Sequence, residues 1–557
     1  TPRYNSMKRF GFHILTLVLT LAGCIENDIP YPIVVCSVES IAAEGLSGDP
    51  QIDVAERKVT LPLEETTDIQ AVEITACKIT DEAESSTQIV GRHDLTSPLY
   101  VTLSVYQDYP WTIEAQQTIT RSFTVEGQVG ATEWDTANRT SKVYVGFEDM
   151  TKVKITSLKL GPRDSTRMSA ADIPDFNDSN LHLLSDFTSP RRVDVTCHGR
   201  TEEWYLSVEY TDVKVMFASI SPWTHSAWLR ADGLSGTKLG FRYRKEGDET
   251  WIEVPEEELT IEGGSFWAQL RGLEPETRYE AVACSNDDLS TVESFTTEKA
   301  LPLPNGGFEE WSQPGKVVYP YLSEDQAFWD SGNKGAATAG KTICDGMAYP
   351  RPGSAGQYCA YLESTLASVA GIGKFAAGNI FVGTYAKTDG TNGIINFGRP
   401  FATHPIALRG WVKYTQGQID KIGTVPTGTD LKVGDMDQGS IFIALGTWSP
   451  EEYGNASPYP EVNKWEQSPV QVYTKDQSTF FKKDGKDVVG YGELILNETV
   501  GEWRQFTIKI EWRDTERVPT HMMIVCSGSR WGDYFTGSTK SRMWLDDFEL
   551  IYDYADL

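Results

Sequence analysis

Short stretches of alternating apolar and polar residues, separated by turn-forming residues, recur along most of this chain. Clear examples lie at 59–63, 100–103, 142–145 and 193–196. Such spacing is typical of half-buried strands in β-sandwiches. Long helical periodicity is absent, and the one short candidate is 361–370. The chain is therefore predicted to be all-β, and its 557 residues are enough for three or four domains.

The beginning of the chain shows the three regions of an export signal in order. Met7 is the expected start, Lys8 and Arg9 follow it, and residues 10–22 form a mostly apolar run that ends before Cys24. That run is shorter than the ~20 residues of a bilayer span and has the length of a signal-peptide core. The Leu-Ala-Gly-Cys ending resembles bacterial lipoprotein signals, which implies removal of residues 1–23.

The same resemblance implies that Cys24 carries the lipid and that residues 24–32 form a tether. In such lipoproteins an aspartate after the lipidated cysteine tends to retain the protein in the inner membrane. Ile25 stands at that position here and favours the outer membrane. Several acyl chains make a lasting anchor. The resemblance leaves open whether the protein faces the cell surface or the periplasm.

The formal charge of −29 limits the partners of the protein. So negative a chain is repelled by nucleic acid and by anionic lipid. We therefore expect no nucleic-acid partner, membrane contact through the lipid anchor only, and a monomer.

Seven of the eight cysteines remain after Cys24, scattered without CxxC spacing. This pattern argues against a disulfide framework and against a zinc site. Two readings stay open for Cys344 and Cys359, which are either buried thiols or a disulfide pair.

Turn signals divide the chain into four sandwiches. Two Ig-like modules are predicted at 33–128 and 129–210. The third, at 211–299, contains Leu-Glu-Pro-Glu-Thr-Arg-Tyr ending at Tyr279. This motif resembles the tyrosine corner of fibronectin type III domains, in which the hydroxyl bonds to upstream backbone. A proline-bearing stretch, 301–304, is predicted to be a stiff linker before a large last domain.

The last domain, predicted at 303–555, opens with Asn-Gly-Gly-Phe-Glu and closes with Leu-Asp-Asp-Phe-Glu-Leu. Many jelly-roll carbohydrate-binding modules begin and end in this way, with the first and last strands adjacent. Oxygen ligands from both ends can then surround calcium, which takes six to eight of them. Glu309, Asp546 and Asp547 are the candidate ligands for a structural calcium. The alternative is that they are surface carboxylates.

Further segments of this domain resemble the putative carbohydrate metabolism domain family, found on lipoproteins of glycan-degrading Gram-negative bacteria. They are AFWDSGN at 327–333, FGRPF at 397–401, PIALRGWVKY at 405–414 and SGSRWGDYFTG at 527–537. The resemblance implies a jelly-roll β-sandwich related to carbohydrate-binding modules. The predicted fold class is thus all-β and multidomain, with Ig-like and fibronectin III-like sandwiches before this last domain.

Sugar binding needs flat rings and planar polar groups on exposed loops. Two glycine-flanked clusters fit this requirement, although core packing is the alternative for each tryptophan. Trp411, Trp503 and Trp544 are predicted in the core, and Trp448 with Trp465 is a weaker candidate for a cleft wall. The two clusters comprise Trp329, Asp330 and Asn333, and Arg530, Trp531, Asp533 and Tyr534.

Three functions remain open on the sequence. The first is a glycan-binding lipoprotein that serves polysaccharide capture or metabolism. The second is a glycoside hydrolase with paired carboxylates, for which no catalytic residue is assigned because sequence supplies no carboxylate separation. The third is an adhesin or structural stalk without a sugar site. No G-x-S-x-G or H-E-x-x-H motif is present.

Overall fold

A computed structural model of the protein describes residues 35–54, 56–162, 165–176, 179–369, 372–426, 429–448 and 468–557. The predicted signal peptide, Cys24, the tether and Trp465 lie outside these residues. The described part of the chain contains no helix with the length and apolar character of a membrane span. It divides into two compact units, with the boundary in the chain between Gln117 and Thr118.

The first unit is a sandwich of a three-stranded sheet, β1-β4-β6, and a five-stranded sheet, β2-β3-β8-β7-β5. Alternation along each strand points one face inward, where Trp111 is fully buried and donates to the Cys36 carbonyl at 3.1 Å. The strands are β1 Val38–Ala43, β2 Gln51–Asp53, β3 Lys58–Leu63, β4 Val72–Ile79, β5 Glu84–Ser85, β6 Gly91–His93, β7 Leu99–Ser104 and β8 Asp108–Gln117.

The second unit begins with another sandwich, whose six-stranded sheet runs β10-β11-β16-β15-β13-β14. The strand 122–125 pairs with 155–159, so it belongs to this sandwich although the expected boundary was at residue 128. The strands are β9 Ser122–Val125, β10 Gln128–Asp135, β11 Thr140–Val145, β12 Ile155–Lys159, β13 Thr166–Ala170, β14 Ile173–Phe176, β15 Arg191–Cys197 and β16 Arg200–Tyr210.

A third sandwich follows, with sheets β17-β18-β22-β21 and β20-β19-β23-β24, and β25 on β23. Its Tyr279 hydroxyl accepts the Glu274 backbone N–H at 2.9 Å, the contact that the corner motif predicts. The strands are β17 Val215–Pro222, β18 Ser226–Gly233, β19 Leu239–Lys245, β20 Ile252–Glu253, β21 Leu259–Glu262, β22 Ser265–Arg271, β23 Arg278–Ser285, β24 Asp288–Leu289 and β25 Glu293–Thr296.

The last domain packs a nine-stranded sheet, β36-β32-β31-β40-β35-β37-β39 with β26 and β33 at its side, against a five-stranded sheet, β27-β28-β41-β34-β38. Within the helical candidate 361–370, residues 361–363 and 365–369 instead lie in strands β28 and β29. The strands are β26 Trp329–Asp330, β27 Cys344–Met347, β28 Cys359–Glu363, β29 Thr365–Val369, β30 Ile372–Ala376, β31 Asn379–Asp389, β32 Asn392–Phe397, β33 Arg399–Pro400, β34 Ala407–Thr415, β35 Gly439–Gly446, β36 Val470–Tyr473, β37 Val488–Leu496, β38 Val500–Lys509, β39 Glu511–Trp512, β40 His521–Ser527 and β41 Arg542–Ile551.

The third sandwich is docked on the last domain through an aromatic cluster. Trp223 stacks on the His404 ring at 4.8 Å between centroids and contacts Trp512 at 5.1 Å. His404 Nδ1 lies 2.7 Å from a Glu298 carboxylate oxygen, and its Nε2 lies 3.1 Å from the Arg517 carbonyl.

The predicted linker is likewise packed rather than free. Leu301 and Leu303 contact the core of the last domain, and the Leu301 carbonyl accepts from the Tyr552 hydroxyl at 2.9 Å. The third sandwich and the last domain therefore form one body and not two independent modules.

No disulfide joins the cysteines that the structure describes. Cys344 lies opposite Leu362, and Cys359 lies opposite Met347, on the paired strands β27 and β28. The register thus separates the two cysteines, and the Cys344–Cys359 disulfide is not formed.

Candidate functional site

A cavity of about 490 Å³ opens over one face of the nine-stranded sheet in the last domain. Four neighbouring strands, β31, β32, β35 and β40, form its floor, and they present large apolar side chains to it. Those side chains are Phe381, Tyr385, Ile395, Phe397, Phe442 and Val525. A concave, mostly apolar site of this volume falls within the ~300–1,000 Å³ range of small-molecule pockets.

Four local segments wall the cavity. They are the short helix Asn333–Ala336 (α1) with the turn after it, the β29–β30 hairpin, the β31–β32 turn and the segment 530–535. The β29–β30 hairpin forms a separate two-stranded sheet, with Ala367 and residues 373–377 facing the cavity. The walls thus come from parts of the chain that are far apart in sequence.

Small residues keep the space open. A Cβ atom on Gly335 would lie 2.5 Å from the Tyr385 hydroxyl, and one on Gly532 would lie 2.5 Å from the Ala377 Cβ. Neither distance is tolerated between real atoms. Substitution of either glycine would therefore shift the wall.

Four side chains with ionisable groups line the cavity among the described residues: Lys374, Tyr385, Arg530 and Asp533. The Tyr385 and Thr388 hydroxyls lie 3.0 Å apart, and burial raises the pKa of Tyr385. The Asp533 side chain is exposed to solvent at the cavity. Partial loss of hydration there raises its pKa to about 6.

Phe535 adopts a left-handed backbone conformation, with φ of +56°. Non-glycine residues rarely occupy this region, and such strain of about 1–3 kcal/mol clusters at functional sites. The conformation places the Phe535 ring beneath the Lys374 ammonium group, 3.8 Å from the ring centroid.

The structure divides the predicted Arg530–Tyr534 cluster between two roles. Arg530 and Asp533 line the cavity, as the hypothesis requires. Trp531 does not line it, and its ring lies 4.7 Å from the Arg530 guanidinium carbon. Tyr534 packs edge-on against Phe480 at 5.1 Å. The two aromatic residues therefore support the loop that carries the two charged residues.

The prediction that Trp329, Asp330 and Asn333 bind ligand is wrong. Trp329 is fully buried between Phe308 and Phe548, and its indole donates to the Pro304 carbonyl at 2.8 Å. The Asp330 carboxylate, also buried, accepts from the Tyr385 and Ser331 backbone amides, each at 2.8 Å. Burial raises the pKa of Asp330, an effect that the nearby Lys334 opposes.

Asn333 is buried and forms four hydrogen bonds to backbone groups. Its amide donates to the Val318 and Cys344 carbonyls, and its oxygen accepts from the Ile343 and Cys344 amides. Asn333 therefore holds α1 to strand β27, below the wall to which its neighbours Gly332 and Gly335 contribute.

The three acids predicted to bind calcium are engaged by protein donors. Glu309 accepts from the Gln357 and Tyr358 amides, Asp546 accepts from the Arg351 amide, and Asp547 pairs with the Arg351 guanidinium at 2.6 Å. Burial, opposed by the Arg351 amide, raises the pKa of Asp546 to about 6. Among the described residues no group of three or more acids, histidines or cysteines is arranged around a metal position.

Three other tryptophans lie elsewhere than expected. Trp411 and Trp544 alternate with the core residues Val412 and Leu545, so they lie half-buried on the outer face of the five-stranded sheet. Trp503 is also half-buried there and lies 6.1 Å from the Tyr349 ring. These positions correct the prediction of core burial.

Trp448 is the weaker candidate for a cleft wall. It is buried, packs edge-on against Phe481 at 6.2 Å and does not contact the cavity.

Lys374 and Tyr385 were not anticipated from the sequence. Lys374 stands alone in a run of glycine, alanine and apolar residues, 371–378. A single charge in such a run is a usable signal for a functional residue. Tyr385 carries no comparable signal, because many tyrosines of this chain occur in strands.

The fold and this cavity define the last domain as a β-sandwich with a pre-formed, small-molecule-sized site on one sheet. The comparison with known families gives it a name. Residues 307–551 match the family model described as the Putative carbohydrate metabolism domain, and this part of the chain is such a domain. No curated protein matches the chain.

Solved structures with similarity to the chain share little sequence with it. A crystal structure titled a putative glycoside hydrolase, from Bacteroides thetaiotaomicron, is 14% identical, covers 94% of this chain and 98% of its own, and has a TM-score of 0.30. A second of that title, from Bacteroides vulgatus, is 19% identical over 45% of this chain and 98% of its own, with a TM-score of 0.32. The four N-terminal Ig domains of Dscam1 are 12% identical over 62% and 96%, with a TM-score of 0.17. At these TM-scores nothing about activity follows.

Proposed function

We propose that this protein binds a glycan in the cavity of its last domain and serves polysaccharide capture or metabolism outside the cytoplasm. The observation that carries the proposal is the cavity itself, which lies within the carbohydrate metabolism domain. Aromatic rings such as Tyr385, Phe442 and Phe535 offer faces for the C–H surfaces of a sugar. Lys374, Arg530 and Asp533 offer donors and acceptors for its polar groups.

Binding stands ahead of hydrolysis in this proposal because of the carboxyl groups. Common glycosidases use two, about 5 Å apart or roughly 6.5–9.5 Å apart. Among the cavity-lining residues that the structure describes, Asp533 is the acid. An assay of reducing-sugar release separates the two functions. Release that disappears in Asp533→Asn would replace binding by hydrolysis.

Lipid anchoring at Cys24 is part of the proposal and rests on the sequence alone. The basic residues, the apolar run 10–22 and the small residues before Cys24 support it. We expect incorporation of a labelled fatty acid into the protein in a Gram-negative host, and none into Cys24→Ala. Equal labelling of both proteins would overturn the anchor.

The binding test uses a variant that blocks the cavity. Thr391 lines the rim at the β31–β32 turn and is exposed, so Thr391→Trp adds bulk there with little effect on the fold. Thr507→Trp is the matched control, at an exposed position of strand β38 in the other sheet. Glycan arrays followed by calorimetry should show binding by the unaltered protein and by Thr507→Trp, and its loss in Thr391→Trp. Equal binding by both variants would place the site elsewhere, and no glycan binding at all would overturn the proposal.

A further inference from the structure

The charge of the cavity contrasts with that of the chain. The protein carries a formal charge of −29, with 79 acids against 50 lysines and arginines. Yet two cations, Lys374 and Arg530, line the cavity with one acid, Asp533. Lys475 adds a third positive charge near Lys374, close enough to affect its titration.

Lys374 has neutral partners. Its ammonium group donates to the Asn392 side-chain oxygen at 2.8 Å and lies over the Phe535 ring. Within the described part of the chain, no carboxylate oxygen lies within ion-pair distance of it, although acids outnumber cations overall. Partial burial, together with the charge of Lys475, lowers the pKa of Lys374. An anion that enters the site is therefore attracted to the ammonium group, because it compensates a charge that no protein carboxylate neutralises.

Arg530 provides a second, oriented cation. Its guanidinium stacks on Trp531, lies 3.3 Å from the Gln438 side-chain oxygen and is 3.5 Å from a Glu493 oxygen. A guanidinium has five N–H donors in a fixed plane, and these contacts do not use all of them. The remaining donors suit the paired oxygens of a carboxylate or a sulfate.

We infer that the cavity selects an acidic sugar, whose carboxylate or sulfate group is bound by Lys374 with Arg530 as the second cation. This inference rests on the proposed function, since it names the class of glycan for the same cavity. The neutral partners of Lys374 hold the ammonium group in place and leave its charge uncompensated until the ligand arrives.

The test compares acidic glycans with their uncharged counterparts. Oligosaccharides of pectin, alginate and hyaluronan are paired with carboxyl-reduced forms, and those of chondroitin sulfate with desulfated forms. We expect the protein to bind at least one acidic member roughly tenfold or more tightly than its partner, with an affinity that falls as salt is added. The pair that shows the preference identifies the anionic group as carboxylate or sulfate.

Three variants assign the effect to Lys374. Lys374→Gln should lose roughly tenfold or more in affinity for the acidic glycan. Its affinity for the neutral partner should stay within about twofold. Lys374→Arg should retain most of the preference. Lys509→Gln, at an exposed position in the other sheet, is the matched control and should bind like the unaltered protein.

Thermal unfolding shows whether Lys374→Gln still folds. Because Lys374 has an uncompensated charge, its removal should leave the melting temperature unchanged or raise it.

The outcomes separate the two claims. A protein that binds neutral glycans as well as acidic ones, or whose preference survives Lys374→Gln, overturns the inference and leaves the proposed function standing. A protein that binds no member of any pair overturns the proposed function as well.

Discussion

Two short segments of the last domain, 329–333 and 530–534, have similar residue types and opposite roles. Each contains a tryptophan, an aspartate and a glycine, and each was a reasonable candidate for a sugar-binding loop. The first is buried, with Trp329 at 0% exposure and Asn333 at 2%. The second lines an open cavity with Arg530 and Asp533.

Hydrogen bonding explains the difference. Asp330 and Asn333 have their polar atoms paired with backbone groups, so little capacity is left for a ligand. Asp533 faces the cavity, and within the described residues it has no hydrogen-bond or ion-pair partner. A polar residue whose bonds are complete stabilises the fold, and one that faces an open cavity with unused capacity is available for binding.

The largest expected contrast is between the two tryptophans. Trp329→Ala should lower the free energy of unfolding by about 3–5 kcal/mol, because it leaves a cavity among fully packed rings. Trp531→Ala should lower it by less than about 1 kcal/mol, because that ring is half-buried near a loop. Denaturant unfolding followed by circular dichroism measures both. Similar losses in the two variants would remove the distinction between the segments.

Substitution of Asn333 tests the structural role of segment 329–333 by removing hydrogen bonds instead of a packed ring. Asn333→Ala should cost about 2–3 kcal/mol, since two buried amides and two carbonyls lose their partner. Asn333→Asp should not rescue the protein, because a carboxylate cannot donate to the Val318 and Cys344 carbonyls. Denaturant unfolding checks both variants, and glycan binding measured on the folded fraction should be unchanged. Selective loss of binding at full stability would contradict the assignment.

The smallest expected effect is the change in glycan affinity with pH that arises from titration of Asp533. Its pKa is raised to about 6, so its negative charge disappears from the cavity as pH falls through that value. The affinity for an acidic glycan should then rise by roughly two- to fivefold between about pH 7 and pH 5, the effect of ~0.5–1 kcal/mol for one charge pair in a solvated site.

The matched variant for that pH effect is Asp533→Asn. It should show the higher affinity already at about pH 7 and little pH dependence, as measured by calorimetry. The same shift makes the carboxyl a source of stability at low pH that is lost as pH rises through about 6. A variant that keeps the full pH dependence would assign it to another group.

Much of the fold could be predicted from local signals. Residues close together in the chain encode the alternation along the strands and the corner at Tyr279. They also encode the motifs at the two ends of the last domain. Two of the residues predicted to bind ligand, Arg530 and Asp533, also line the cavity.

The sandwich boundaries and the site were harder to predict, because they depend on pairing between distant segments. The strand 122–125 joins its sandwich only through 155–159. The cavity unites the β29–β30 hairpin with residues 530–535, more than a hundred positions away. No local pattern states which distant segment will cover which face of a sheet.

The sequence by itself determined that this chain is all-β, because turn chemistry and two-residue periodicity are properties of adjacent residues. It also determined that the last part of the chain is a carbohydrate metabolism domain, through motifs that are local in the sequence. Only the tertiary structure decided which rings are core and which charges face an open site. Alternation places Trp411 and Val412 on opposite faces, yet packing of one sheet against the other decides which face is enclosed. For the same reason Trp329 is buried by Phe548, from the other end of the domain, while Lys374 is left facing the cavity.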